Sequence, residues 1–322
     1  MIEYNKPPLS VEDQIKLLEK RGLSFTNKEQ AKTNLSNISY YRISPYTTPF
    51  KKIKNDEIQK DFKDNTTWEM IFRLYEFDHK LRLLIFSTIE HIEIAVRTQI
   101  TNQLSDKYGS HWQDDENIFK PPFPKTLNNG DSKTIDIYQE IQSHIQNQLN
   151  DDKAEIFIKH YKNKYNKPTN PPSWMIVETI TFGVLSRIYK NLKNYKDKQL
   201  IADYFKLPHT VFSSWIHSIH VIRNICAHHS RLWNKVLDVT PMPFKNKKSR
   251  GPIWINQTNT NNNGKGVRIY YILCMLNYLL QTINPTYPLK NYLKELLTEY
   301  KDVIYLNAMG FPNDWENENM WK

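Results

Sequence analysis

Apolar residues recur at spacings of three and four along most of the chain, which is the pattern of helices that bury one face. The longest such stretch starts near Thr66, where Glu69 completes a capping-box spacing, and it ends at Gly109. Only 8 glycines occur in 322 residues, and strong helix formers dominate. The pattern therefore predicts an all-α protein.

Shorter periodic segments predict the other helices. In chain order they cover about residues 10–22, 26–38, 132–149, 151–166, 173–192, 196–205, 210–233, 267–283 and 289–302. Pro45 and Pro49 restrict the backbone that precedes them, so no regular helix is expected past Ser44. Gly183 is a candidate break in the helix that begins at Ser173.

Differences in composition along the chain predict three regions. Residues 1–64 form a helical and aromatic N-terminal extension, residues 65–302 a helical core, and residues 303–322 a tail that packs on the core. Within the core, the segment after residue 234 is rich in Pro, Asn and Lys. This composition predicts a long surface loop with at most a short β-hairpin.

The charge balance changes the picture from a generic helical protein to one with a polyanionic partner. Lys plus Arg number 44 against 34 Asp plus Glu, a formal net charge of +10. Such an excess favours nucleic acid as a partner, and coding bias toward Lys and Asn is the alternative explanation. Cys226 and Cys274 lie in apolar stretches and predict buried free thiols. Without a bilayer-length apolar run or a signal-peptide pattern, a cytoplasmic location is expected.

Candidate chemistry concentrates in the stretch VIRNICAHHSRLWN, residues 221–234. On a wheel of about 100° per residue, six polar residues gather on one face: His217, His220, Arg223, Asn224, His228 and Arg231. His229 falls among isoleucines, which predicts a packed histidine and leaves His228 for chemistry. Arg223 and His228 are about 140° apart, so their convergence on one ligand requires a bent arginine or a second copy of the helix.

With these residues the sequence resembles the Abi family, the AbiD- and AbiF-like abortive-infection proteins of bacterial phage defence, which belong to the HEPN superfamily. Five blocks carry the resemblance in order over nearly the whole chain: ISYYRISPYTTPF, FDHKLRLLIFSTIEHIEIAVRTQI, PPSWMIVETITFGVLSRIYKNL, RNICAHHSRLWN and AMGFPNDW. The resemblance implies an all-α HEPN-type helical bundle, usually a homodimer. It also implies a metal-independent endoribonuclease site without a cofactor, on an Arg-x4-His motif that runs here from Arg223 to His228, and a structured small noncoding RNA as partner.

The residues of this motif also suit RNA cleavage through the 2′-hydroxyl on chemical grounds. His228 can act as general acid or base, and Arg223 can hold the phosphate with forked donors. Asn224, one turn before His228, can orient the imidazole or the substrate. Arg231 offers either a further phosphate contact or an ion pair with a carboxylate.

A second polar stripe occurs on the long predicted helix, where Glu90, Glu93 and Arg97 are spaced three and four apart. Glu93 and Arg97 form either an ordinary ion pair within one helix or a support that orients the motif residues. They are therefore candidate supporting residues.

Two other functions compete with cleavage. A metal site would use His217, His220 and His228, but this spacing matches no zinc signature, so no metal is expected. A non-catalytic RNA-binding or interaction module would use stacking and basic residues instead. Its candidate RNA contacts are Tyr40, Tyr41, Arg42, Lys245, Lys247, Lys248 and Arg250.

Overall fold

The computed structural model describes residue 3 and residues 7–126, 131–150, 154–244 and 267–322. Twelve α-helices run through these residues: α1 (Val11–Lys20), α2 (Lys28–Asn37), α3 (Tyr40–Thr47), α4 (Trp68–Tyr108), α5 (Ile137–Asn150), α6 (Ile156–Lys164), α7 (Ser173–Thr179), α8 (Phe182–Asn191), α9 (Tyr195–Tyr204), α10 (His209–Ala227), α11 (Ile269–Ile283) and α12 (Leu289–Glu299). Two antiparallel strand pairs accompany them: β1 (Lys51–Lys54) with β2 (Glu57–Phe62), and β3 (Phe123–Thr126) with β4 (Ser132–Ile135). The predicted mostly helical fold class is confirmed.

Helix α4 is the helix around which most of the other helices pack. It is 41 residues long and contacts α3 and all of α7 to α12. Its buried positions recur at three and four along its length, so one stripe of the helix faces the core. The Thr67 side chain accepts the N–H of Met70 at its start, and Gly109, with φ +86°, ends it. The predicted long helix is therefore confirmed.

Helix α11 lies in the centre of the core. Every residue from Ile269 to Leu280 is buried, as expected for a helix that is apolar on all sides. The C-terminal tail packs on it through Trp321, whose Nε1 donates to the Tyr270 hydroxyl at 3.1 Å. Asn277 Nδ2 also donates to the Met320 carbonyl at 2.8 Å. Buried side chains from α1 to this tail form one hydrophobic cluster.

Among the described helices, none combines the length and the apolar composition that crossing a bilayer requires. The segment after residue 234, where a surface loop with at most a short β-hairpin is predicted, is described only up to residue 244 and again from residue 267, so the hairpin stays a prediction. The division of the chain at residues 64 and 302 stays a prediction.

The helix predicted from Ser173 is broken at residues 180–181, and not at Gly183, which lies inside α8. Two other differences from the predicted elements have a cause in hydrogen bonding. Helix α3 continues through Pro45, which cannot donate to the Tyr41 carbonyl; the Ser44 hydroxyl donates to that carbonyl instead, at 3.1 Å. Residues 132–135 form strand β4 rather than helix, because they pair with β3, and α5 begins only at Ile137. Both differences come from hydrogen bonds that the periodicity of apolar residues does not encode.

Candidate functional site

Helix α10 carries the motif and is fixed by its apolar face. Trp215, Ile219 and Ile222 lie at helical spacing on this face, and all three are fully buried. The helix contacts α4, α8 and α9. Of the six residues of the predicted polar face, His217 and His228 are exposed, and the other four are half-buried: His220, Arg223, Asn224 and Arg231.

The helix ends at Ala227, six residues earlier than predicted, and His228 is its C-cap. The backbone N–H of His229 donates to the Cys226 carbonyl and that of Ser230 to the Ile225 carbonyl, each at 3.0 Å. These two bonds form a Schellman motif, with His229 in the left-handed conformation at φ 56°. The prediction that His229 packs among the isoleucines is therefore wrong: the turn directs it outward, and it is exposed.

A buried carboxylate fixes the chain directly after this turn. Asp78 on α4 is fully buried, and it accepts the backbone N–H of Trp233 at 2.7 Å and that of Leu232 at 3.1 Å. The Tyr46 hydroxyl donates to it at 2.6 Å, and Arg82 pairs with it. This arrangement, the Asp78 cluster, joins α3, α4 and the end of the motif segment.

The donors around Asp78 decide its charge. Burial raises the pKa of this carboxyl, and the adjacent Arg82 guanidinium opposes that shift. Because two side chains and two backbone N–H groups donate to its two oxygens, we assign it as an ionised carboxylate. The Asp78 cluster is thus a structural anchor, because both oxygens of its carboxylate already accept donors from the chain itself.

The turn presents exposed polar groups from two helices. His228 and His229 are exposed, and Arg42 of α3 donates to the His229 carbonyl at 2.8 Å. Tyr41, the neighbour of Arg42, is 89% exposed. The structure thus brings two of the predicted RNA-contacting residues beside the histidine pair. The third, Tyr40, packs partly against the core.

Arg223 lies on a different side of α10 from this turn. Its guanidinium sits over the Phe86 ring, 5.5 Å from the centroid, and its Nε is 3.9 Å from Glu93 Oε2. That distance is too long for a hydrogen bond, and the buried Nε has no hydrogen-bond partner among the described residues. Arg223 is therefore held loosely and retains donors for an anionic ligand.

Glu93 is itself held firmly by Arg97. Arg97 Nη2 donates to Glu93 Oε1 at 2.5 Å, and its Nη1 donates to the carbonyls of Val177 and Ile180. An open cleft of about 270 Å³ surrounds the group, and it is lined by Phe86, Ile89, Glu90, Glu93, Ile94, Arg97, Glu178 and Arg223. The candidate supporting residues Glu93 and Arg97 thus lie with Arg223, and we call these three the Glu93 cluster.

Asn224 and His220 form the next part of the same face. Asn224 Nδ2 lies 3.4 Å from His220 Nε2, and the Asn224 carbonyl accepts the backbone N–H of His228 at 2.9 Å. The His220 ring fills the space beside Gly183, where an added Cβ would approach Cε1 to 2.7 Å. Burial, followed by His217 and Arg223, lowers the pKa of His220. His220 is therefore a neutral, packed neighbour of Asn224 at physiological pH.

The remaining candidates are placed as follows. Arg231 Nη1 lies 3.4 Å from the Pro45 carbonyl, so its recorded contact is with backbone and not with a carboxylate. The basic candidates after the motif lie outside the described residues: Lys245, Lys247, Lys248 and Arg250. No described group of three or more His, Cys, Asp or Glu side chains is arranged to hold a metal ion.

Sequence reasoning missed the residues that position the motif from α4. Asp78 and Arg82 are spaced four apart within an otherwise apolar stripe, and that spacing was a usable signal for a buried ion pair. Phe86, which supports the Arg223 guanidinium, gave no such signal because a phenylalanine on this helix is expected in the core.

A family model described as Abi-like protein matches residues 33–234, more than half of the chain. The matched region contains α3, α4 and α10, and therefore both the Asp78 cluster and the Glu93 cluster. Comparisons with curated proteins and with solved structures gave no match.

Proposed function

The chain belongs to the Abi-like protein family, and from this premise we propose that it is an RNA-cleaving protein of abortive-infection defence. Membership of this family supports a role in abortive infection. The step from that role to endoribonuclease activity of the HEPN type rests on the motif residues and on their surroundings.

The observation that carries the proposal is the imidazole of His228. It is exposed at the end of α10, and it forms no hydrogen bond or ion pair with any described residue. Its backbone is fixed by the Schellman motif. The chain that follows is fixed at Leu232 and Trp233, whose backbone N–H groups donate to Asp78. A fixed backbone with a free imidazole suits proton transfer near neutral pH.

The proposed reaction uses groups of the chain alone. His228 removes the proton of the RNA 2′-hydroxyl, and the 2′-oxygen attacks the adjacent phosphorus while the bond to the 5′-oxygen breaks. An imidazolium returns a proton to the leaving 5′-oxygen. Arg223 binds the non-bridging oxygens as negative charge develops on them. The products are a 2′,3′-cyclic phosphate and a 5′-hydroxyl.

Two copies of the chain suit this chemistry better than one. Within one helix Arg223 and His228 lie about 140° apart, and Arg223 is drawn toward Glu93, 3.9 Å away. A two-fold axis close to the end of α10 would bring two His228 imidazoles together, one as base and one as acid. A structured small noncoding RNA that regulates the site remains part of the proposal, supported by the net charge of +10.

The competing candidate is an RNA-binding module without catalysis. The exposed Tyr41 and Arg42 beside the histidine pair favour it, because an exposed ring and a guanidinium can stack on bases. In this case His228 would contact RNA but would transfer no proton.

Cleavage of labelled RNA in the presence of a chelator separates the two functions. His228→Ala should lower the rate by about a hundredfold or more, and Arg223→Ala by about a hundredfold. Lys60→Ala, an exposed lysine on β2, should leave it unchanged. Parental cleavage by a folded His228→Ala variant would refute the assignment, and tight RNA binding without cleavage by the parent would favour the module.

A further inference from the structure

A second cleft, lined by basic residues, lies where the end of α8 meets the chain that follows α4. Lys120 donates its backbone N–H to the Asn191 carbonyl at 2.9 Å, and Lys193 donates to the Ile118 carbonyl at 2.8 Å. Phe119 and Leu192 form an isolated antiparallel bridge between these two bonds. This backbone pairing places Lys120 beside Lys190 and Asn191.

Three lysines lie close together here, and none of them forms an ion pair with a carboxylate among the described residues. Lys198 is half-buried, and its Nζ donates to the Lys190 carbonyl at 2.8 Å. Burial, and then the charges of Lys120 and Lys190, lower the pKa of Lys198 to about 8. Neither Lys120 nor Lys190 forms an ion pair with a described carboxylate. Like charges held together in this way repel one another, and a bound anion would relieve the repulsion.

A buried amide provides an independent sign of a missing ligand. Asn191 is only 6% exposed, and its Nδ2 has no hydrogen-bond partner among the described residues. Buried donors are nearly always paired in folded proteins, so an unpaired one calls for an explanation. The side chain lines a cleft of about 280 Å³ together with Lys120, Phe123, Ile137, Arg187 and Lys190.

The walls of this cleft differ in character. Lys120, Lys190 and Asn191 carry donors, whereas Phe123 and Ile137 are apolar, and Phe123 is 46% exposed. Arg187 also lines the cleft, but it is already paired with Glu140. A ligand that matches both walls carries an anionic group and a flat, apolar ring system.

We propose that this cleft binds a nucleotide, with the phosphate on Lys120, Lys190 and Asn191 and the base against Phe123. The nucleotide is either a free nucleoside phosphate or one unit of an RNA chain. The inference stands apart from the cleavage proposed above, because binding here requires neither His228 nor a second copy of the chain.

The surroundings of the cleft favour a unit of RNA over a free nucleotide. Helix α8, which carries Lys190, packs against α10, which carries Arg223. A polyanionic strand that lies across these two helices can therefore contact Lys190 in the cleft and Arg223 at the Glu93 cluster.

The test measures equilibrium binding of adenosine 5′-monophosphate and of a 2′-O-methyl RNA oligonucleotide, which cannot be cleaved through its 2′-position. The double variant Lys120→Gln/Lys190→Gln should weaken binding about tenfold or more, and for the oligonucleotide it should lower the slope of log affinity against log salt by about 1.4. Asn191→Leu should weaken binding about tenfold through the lost donor. Because both lysines are exposed, the double variant should keep the parental melting temperature.

The matched control is Lys54→Gln/Lys60→Gln, which removes the same charge from the exposed strands β1 and β2. It should bind both probes as the parent does. Binding of the oligonucleotide alone identifies an RNA unit, and competition by adenosine 5′-monophosphate identifies a site for a single nucleotide. If neither probe binds, or if the control pair loses as much affinity as Lys120→Gln/Lys190→Gln, the proposal is wrong.

Discussion

Helix α4 carries two acid–arginine pairs with the same spacing of four residues, and they differ in what surrounds them. Asp78 and Arg82 are 0% and 4% exposed, and the remaining capacity of the carboxylate is filled by Tyr46 and by two backbone N–H groups. Glu93 and Arg97 are 16% and 11% exposed beside an open cleft. There the Nε of a third residue, Arg223, lies 3.9 Å from Glu93 Oε2, which is too far for a hydrogen bond.

The difference shows how one sequence pattern serves two purposes. A buried carboxylate stabilises a fold only when donors surround its oxygens, and Asp78 meets this condition through Tyr46, Arg82 and two backbone N–H groups. The Glu93 cluster leaves a guanidinium Nε unpaired beside a space that a ligand can enter. A saturated cluster is suited to anchoring, and an unsaturated one is suited to exchanging an internal contact for a ligand.

The largest expected effect follows from removing the anchor. Asp78→Ala leaves Arg82 and two backbone N–H groups buried without their acceptor. It should lower the free energy of unfolding by about 3–5 kcal/mol. Urea denaturation measures this loss. The matched control is Asp302→Ala, which breaks the exposed pair with Arg73 and should cost less than about 1 kcal/mol. Similar losses in both variants would show that the Asp78 cluster is not an anchor.

A smaller effect is expected at the Glu93 cluster, and it should appear in activity more than in stability. Glu93→Gln removes the negative charge that attracts the Arg223 guanidinium, whereas Arg97 keeps its hydrogen bonds to the Val177 and Ile180 carbonyls. If the chain cleaves RNA, kcat should fall about tenfold without a rise in KM, because one negative charge near the substrate is removed. Glu90→Gln, which lines the same cleft, is the control and should leave kcat unchanged. If Glu93→Gln lowers the free energy of unfolding as much as Asp78→Ala does, the two clusters do not differ in the way proposed.

The sequence predicts the long elements well because their periodicity is local. The stripe of α4 and the apolar face of α10 are legible in single stretches of about ten residues or more. The end of α10 was missed because a histidine, not a glycine, occupies the left-handed position there, and Arg42 and Asp78 stabilise that turn from distant parts of the chain. The pairing of Glu93 with Arg97 was predictable, but its approach to Arg223 depends on how α10 packs against α4.

The smallest expected effect concerns pH and again separates the two clusters. The groups that act on His220 beside the Glu93 cluster are His217, Arg223 and Glu93: burial and the first two lower its pKa below the ordinary 6.5, and Glu93 opposes them. The unfolded chain therefore takes up a proton at His220 before the folded chain does, so stability present above about pH 6.5 is lost as the pH falls.

Thermal unfolding between pH 7.5 and pH 5.5 tests this effect. His220→Gln removes the titrating group, so its melting temperature should fall less than that of the parent on acidification. His79→Gln, an exposed histidine on α4, should follow the parent. Glu93→Gln should steepen the loss, because the group that favours the protonated imidazole is gone. Parallel curves for the parent and His220→Gln would mean that the acid sensitivity arises elsewhere, and the Glu93 cluster would then differ from the Asp78 cluster only in its openness.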